Sequence, residues 1–498
     1  METTKRKIDL NALLTGANLL MLGLILLESF RLLEDQNPYV NDRTLLLGVL
    51  LCLQTQLALV VERFNRDPFV ILLTFALIFY YELRIFTLSY WGFSDVFLRF
   101  PYDAEDTNFA LTYMLFANLF MYAGLFSVRR KGNLSIEAGT WRATSAGRVV
   151  IVLMAAIAFT YLGTAIFSEG GMPRVLNFIV LLLSPSMLLM LVLAYYVVYR
   201  KSLGLLTAAA IFVLVVLEVA LHTAYGSRSA IINVLQTLLL ILLAVRGRLR
   251  FNRGLVLAGV AATPILLALL VATFAISSYN RFNRDVGAAP DLERAAEFVS
   301  ASTNDPLIVA RLGIIAPVIA SRAGFFDYSA EIIAHRGEYA PLFTVGTYFK
   351  SVVDNLLTPG FDVFDQPKIA NSMQFIYRRW GTPSRTYVAD EAYQSDQIGI
   401  YSEFFLLMGW ASLPALFLLT FALKRLYVRL SSPNPFIFAM KRVVVLFIFQ
   451  RLVDSFGMDW TIVETVPLVM AIFVYAKFFT SRRVLVAEPG QPRYAGAR

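Results

Sequence analysis

Histidine and cysteine are nearly missing from this chain. Its 498 residues include two histidines, His222 and His335, and one cysteine, Cys52. A single thiol excludes an intramolecular disulfide and a cysteine metal site, and two histidines argue against a histidine metal cluster. Cys52 sits inside an apolar run and reads as a small core residue of a helix. Charge is also scarce: 16% of residues are Asp, Glu, Lys or Arg, where soluble domains carry roughly 25%. Glycine-rich dinucleotide loops, P-loops, HExxH and GxSxG do not occur in a usable context, so a cytoplasmic nucleotide-sugar site has no support. No internal repeat or low-complexity tract is visible.

What fills the chain is hydrocarbon. Hydrophobic residues make up 58% of it and the mean hydropathy is +0.64. Runs such as Leu20 to Leu27 and Ala208 to Leu217 leave no polar face, which implies a polytopic membrane protein. The basic start (Lys5, Arg6, Lys7) before an apolar run imitates a signal peptide, but no small-residue cleavage site follows Leu27, so it reads as a first span. With about 20 apolar residues needed to cross a bilayer, spans are predicted at 10–33, 44–62, 68–90, 107–127, 149–167, 175–199, 203–222, 229–245, 254–276, 397–423, 438–456 and 461–479. The expectation is an all-α fold of about twelve transmembrane helices.

Charge then orients the chain. Short loops with Arg63 and Arg66, Arg129 to Lys131, Arg200 and Lys201, Arg246 to Arg253, and Lys424 to Arg429 fall on one side. The positive-inside rule makes that side cytoplasmic, with both termini. The net charge of +9 is explained by this topology signal rather than by nucleic-acid binding. Four regions follow: 1–276, a membrane region of nine spans; 277–396, an external loop; 397–480, a membrane region of three spans; and 481–498, a disordered cytoplasmic tail. Helical spacing inside the loop predicts short helices at 292–299, 306–319, 328–335 and 346–356. An unstructured loop of that length would be unusual in a compact fold.

Two polar islands land outside together. One is His222 to Ser229, with Arg228 at a membrane boundary; the other is the long loop. A guanidinium at the boundary meets a lipid-linked phosphate bidentately, or simply snorkels. Glu218 and His222 lie four apart on one helical face, and Glu82, Arg84, Glu403 and Glu464 are further ionisable groups within spans; such groups mark function by default, or a satisfied interhelical hydrogen bond. In the loop the densest constellation is Arg322 with Asp327, and His335 and Arg336 with Glu331 and Glu338. His335, Asp327 and Glu331 are the candidate catalytic bases. Arg228, Arg281, Arg322, Arg336 and Tyr339 are the candidate substrate contacts, since arginines neutralise a leaving diphosphate. A solvated, salt-bridged surface is the alternative for each, and the aromatics of the loop either stack on sugars or mark the interfacial belt.

Gly226-Ser-Arg228-Ser opening a Leu/Ile-rich span, with a large external loop two spans later, resembles the Wzy-type O-antigen polymerases. Within the loop, Phe343-Thr-Val-Gly346-Thr-Tyr348, Leu356-Leu-Thr-Pro359 and Gln366-Pro367-Lys368 are similar to that family's glycine-tyrosine, proline and Pro-Lys pattern. Ser402-Glu403 to Gly409-Trp410 resembles the segment that re-enters the membrane. The likeness runs from about Leu221 to Pro414, and the arginine-to-glycine spacing motif of some members is absent. The resemblance implies a metal-independent, GT-C-like glycosyltransferase of the bacterial inner membrane that needs no cofactor. It would polymerise undecaprenyl-diphosphate-linked oligosaccharide repeat units into an O-antigen, capsule or exopolysaccharide, with a chain-length regulator as partner. It also implies that Arg228, Arg322 and Arg336 hold phosphate or glycan. An O-antigen ligase acting on lipid A core is the nearest rival, and a flippase for lipid-linked sugars is a second.

Overall fold

The structure is a computed structural model. It describes residues 7–31, 37–65, 67–91, 103–128, 141–143, 185–199, 230–247, 249–252, 326–340, 344–356, 363–364, 399–453 and 458–482, with scattered residues between 205 and 262.

Helices make up nearly all of the described chain. In order they are α1 (Leu10–Arg31), α2 (Asp42–Asn65), α3 (Pro68–Ala76), a π-helical turn (Leu77–Glu82), α4 (Leu83–Trp91) and α5 (Ala104–Ser127). Then come α6 (Pro185–Tyr199), α7 (Ala230–Arg246), α8 (Phe326–Ala334), α9 (Arg336–Tyr339) and α10 (Val345–Leu356). The last group is α11 (Gly399–Met408), a 3-10 turn (Gly409–Ala411), α12 (Ser412–Arg429), α13 (Pro435–Val453) and α14 (Met458–Phe479). Among the described residues, four strands of three residues form two antiparallel pairs, Lys7–Asp9 with Arg250–Asn252 and Trp141–Ala143 with Thr480–Arg482.

Local chemistry sets several boundaries. Asp103 opens α5 with a capping box, accepting from the backbone of Glu105 and Asp106 while Asp106 accepts from Asp103 N. Asp67 caps α3 ahead of Pro68, whose missing N–H costs nothing at the first helical position.

Among the described residues, five stretches are long and apolar enough to cross a membrane: Leu10–Arg31, Asp42–Arg63, Pro68–Tyr90, Ala104–Ser127 and Gly399–Arg429. Their outward faces show Leu19, Leu20, Leu27, Leu46, Leu57, Phe116 and Leu119 exposed, while Asn18, Thr44, Thr55, Asn108, Asn118 and Thr420 are buried. Polar inside and leucine outside is the arrangement a lipid solvent selects, because helices gain most there from close packing and internal hydrogen bonds. The chain is an all-α membrane protein.

The tightest crossing joins α5 to α12, which run parallel. Gly124 lets the two backbones meet so closely that a Cβ there would lie 2.5 Å from Phe417 O. Thr420 donates to Met121 O at 3.2 Å across the same crossing, and Tyr113 and Ser412 share a hydroxyl pair at 2.8 Å.

The bundle has two distinct ends. At one, Asn11 on α1 donates to Glu62 on α2, Glu62 accepts from Asp67 N, and Lys424 on α12 pairs with Asp67 and donates to Leu125 O. At the other, Thr44 and Asn41 on the start of α2 meet Asn108 on the start of α5. Glu28 and Arg31 at the close of α1 likewise meet Ser89 and Tyr90 O of α4.

The helices at 10–31, 42–65, 68–91 and 104–127 coincide with the first four predicted spans, and 435–453 and 458–479 with the last two. The fifth predicted span, and parts of the sixth, seventh and ninth, lie outside the described residues. Two predicted spans are interrupted rather than smooth. Residues 68–91 contain the π-turn, and the span predicted at 397–423 breaks where Gly409 takes φ +58, a left-handed conformation that glycine adopts without a Cβ clash. Two of the short helices predicted within the loop are present as α8 and α10.

Candidate functional site

The site is assembled at the second end of the bundle, where α8, α9 and α11 pack on the start of α5. Helix α8 is amphipathic, and it places Phe326, Ser329, Ala330, Ile332 and Ile333 in the core. It ends at Ala334, where His335 turns the chain into α9. Four residues apart, Glu331 and His335 share one face of that turn.

Glu331 is fully buried. Its Oε1 accepts from the Tyr339 hydroxyl at 2.7 Å, and its Oε2 lies 3.4 Å from His335 Nδ1. Nδ1 is also 3.2 Å from the Glu331 carbonyl oxygen. The other imidazole nitrogen, Nε2, lies 3.7 Å from Asp106 Oδ2 in the first turn of α5. The imidazole therefore sits between two carboxylates, one sealed and one at the surface. The side chains of His335 and Asp106 each retain 23% of their accessible surface, so this pair stands at the surface of the bundle while Glu331 is sealed. Nδ1 thus faces Glu331 and Nε2 faces Asp106, an arrangement in which the two carboxylates orient the ring for proton transfer. Asp106 sits at a helix N-terminus, where the macrodipole favours a negative charge.

Arg336 follows directly. Its Nε donates to Phe405 O at 2.8 Å and Leu406 O at 3.2 Å, the last carbonyls of α11. Such carbonyls lack an intrahelical partner, and a guanidinium is a good cap for them. Gly409 admits it: the Arg336 Cζ lies 3.4 Å from where a Cβ would be. Among the described residues the terminal nitrogens of Arg336 take no hydrogen-bond partner, so the guanidinium keeps donors for a ligand.

Below this layer, Ser329 and Ser402 share a hydrogen bond of 2.9 Å, and Tyr348 on α10 donates to the buried Glu403 on α11. Beside it is an aromatic shelf in which Trp410 lies edge-on to Phe109, Tyr113, Phe116 and Phe405, with ring centroids 5.7–6.2 Å apart. Trp410, Phe109 and Phe116 are exposed. Among the described residues no three His, Cys, Asp or Glu side chains converge on a place for a metal ion.

Five of the residues singled out from sequence are brought together here: Glu331, His335, Arg336, Tyr339 and Glu403. Their parts differ from the expectation in two respects. Tyr339 is buried and orients Glu331, so its ring offers no open face to a sugar. Arg336 spends one nitrogen on the fold. Asp327 lies in the first turn of α8, and its side chain is outside the described set. Arg228, Arg281, Arg322, Glu218 and His222 lie outside the described residues. Sequence reasoning missed Asp106, Ser329, Ser402 and the pairing of Tyr348 with Glu403. The Asp103/Asp106 pair before an apolar run was readable as a helix start, but nothing local announced its histidine.

Comparison with protein-family models, with curated proteins and with solved structures finds no match for this chain.

Proposed function

We propose that this protein is a membrane glycosyltransferase that polymerises lipid-diphosphate-linked oligosaccharide repeat units, with His335 as the base. The observation that carries the reading is the imidazole of His335, partly exposed and held between buried Glu331 and Asp106 of α5, at one end of an apolar bundle. An acceptor sugar hydroxyl loses its proton to Nε2 as its oxygen bonds to the anomeric carbon of the donor. The bond from that carbon to the diphosphate breaks, and undecaprenyl diphosphate leaves with the electron pair. The free donors of Arg336, one residue from the base, meet charge developing on the diphosphate. The exposed ring of Trp410, at the break after α11, offers a face to the glycan. Arg228, Arg281 and Arg322 complete the phosphate and glycan contacts in this reading, and Asp327 is the reserve base.

The same reading places the site end of the bundle outside the bacterial inner membrane. The end that holds Lys424 then faces the cytoplasm with both termini, in agreement with the arginines that follow α2 and α5. A chain-length regulator would act on the same glycan.

The test is complementation of a deletion strain with His335→Ala, His335→Gln and Arg228→Ala at matched expression, with surface polysaccharide run on a gel. Removing a general base costs about 10²–10⁴ in rate, so the His335 variants should collapse the ladder to a single repeat on the lipid core. Loss of every repeat would favour a ligase or flippase instead. A normal ladder in both His335 variants refutes the assignment of the base.

A further inference from the structure

We propose that Glu82 is a proton-binding site built into the membrane part of the bundle, separate from the site around His335. Glu82 closes the π-turn and has no accessible surface. Asn18 on α1 gives its Nδ2 to both carboxyl oxygens, at 3.2 Å to Oε1 and 3.0 Å to Oε2. Thr55 on α2 donates to Oε1 at 2.7 Å. Both residues are fully buried.

A carboxylate in this position lacks its counterion. Among the described residues no Lys, Arg or His pairs with Glu82. Arg84, two residues along, donates instead to Thr87 Oγ1 at 3.3 Å. Among the described residues, the titratable groups that face Glu82 are the Cys52 thiol on α2 and the Tyr122 hydroxyl on α5. The apolar sequence of α3 supplies none. A desolvated anion without a cation is costly, and such groups neutralise by taking a proton.

A second, independent observation points the same way. Asn18 Oδ1 is buried and has no hydrogen-bond partner among the described residues. Buried polar atoms are seldom left so. The acid form of Glu82 supplies the missing donor. Oε2–H donates to Asn18 Oδ1, while Asn18 Nδ2 and the Thr55 hydroxyl both donate to Oε1. That cyclic acid–amide pair forms by a turn of the Asn18 amide about a soft torsion, and it gives Asn18 Oδ1 the donor it lacks.

The location gives the proton a consequence. π-turns recur at functional positions, and this one meets the helix that builds the site end. Tyr81, next to Glu82, packs edge-on against Tyr401 of α11 at 5.2 Å. Tyr401 donates to Asn118, and Ser402 and Glu403 follow it. Loss of the proton would set an uncompensated anion at the junction of α1, α2 and the π-turn, one residue from the contact with α11.

The experiment is infrared absorption of the full chain in lipid nanodiscs at pH 7, comparing wild type with Glu82→Gln. The expected difference spectrum contains a protonated-carboxyl stretching band, present in the wild type and lost in the variant. On equilibration in heavy water the band should move to lower frequency. Glu82→Gln should also fold normally, because its amide reproduces each hydrogen bond of the acid and none of the charge of a carboxylate. A carboxylate band in place of the acid band overturns the proposal, as does failure of Glu82→Gln to fold while the wild type does. A band that does not move in heavy water overturns the claim that the proton exchanges.

Discussion

Gly124→Ala isolates the geometry of the α5–α12 crossing in a single methyl group. The added Cβ would stand 2.2 Å from Thr420 Oγ1 and 2.5 Å from Phe417 O, about 1 Å inside the optimal contact distance. Thr420 can swing its hydroxyl aside, but only by giving up its bond to Met121 O at 3.2 Å. The Phe417 carbonyl belongs to the backbone of α12 and cannot rotate, so the helices must part. Overpacking of this kind costs about 1–3 kcal/mol, and losing the cross-helix contact adds at most about 1 kcal/mol, because the same hydroxyl also lies 2.9 Å from Leu416 O in its own helix. Replacing a helical glycine by alanine returns up to about 1 kcal/mol. The net cost is therefore about 1–3 kcal/mol. Parting the helices also pulls on the Lys424–Asp67 pair and the Tyr113–Ser412 bond, which favours the upper end. Gly16→Ala is the control: its Cβ meets nothing within 4 Å, so that variant should gain about 0.5–1 kcal/mol. The chain carries its own reporter. Cys52 is its single thiol and is fully buried, so a fluorogenic maleimide lights up only when the bundle opens. Thermal ramps in detergent should place Gly124→Ala below wild type and Gly16→Ala at or above it. Equal transition temperatures for the two variants would refute the close crossing.

Three further outcomes follow from the same contacts. Lys424→Met should destabilise by about 3–5 kcal/mol, since it leaves buried Asp67 without its cation. Pairing it with Asp67→Asn, which keeps the cap on α3, should recover part of the loss in the thiol assay. Glu331→Gln should keep the Tyr339 hydrogen bond and a near-normal unfolding temperature yet lower repeat polymerisation by about 10²–10⁴. A normal ladder on the gel would remove Glu331 from the mechanism. Arg336→Ala should cost about 1.5–3 kcal/mol by uncapping α11. Arg336→Lys should recover part of that stability but not the ladder, because an ammonium lacks the fork that spans cap and phosphate together. A full ladder with Lys would make this residue a cap alone.

Much of the architecture could be read from the chain itself, for a physical reason. Hydropathy over about 20 residues and the chemistry of helix starts are local, so α1, α2, α5, α13 and α14, the Asp67-Pro68 start and the short helices α8 and α10 needed no knowledge of neighbours. The i,i+4 relation of Glu331 to His335 was fixed by the same helical period. Which helix lies against which was not local. Lipid is as apolar as leucine, so an apolar stripe does not name its partner. Residues 299 positions apart meet at Thr420 and Met121, at Tyr113 and Ser412 and at Lys424 and Leu125, and Gly124 lets the two backbones close enough for these contacts. The tertiary structure alone set Asp106 opposite His335, turned Arg336 onto carbonyls 69 and 70 residues away and broke the helix at Gly409. It also closed Asn18 and Thr55 around Glu82. Apart from the break at Gly409, each of these is a polar contact that apolar packing brings within reach between residues distant in the sequence.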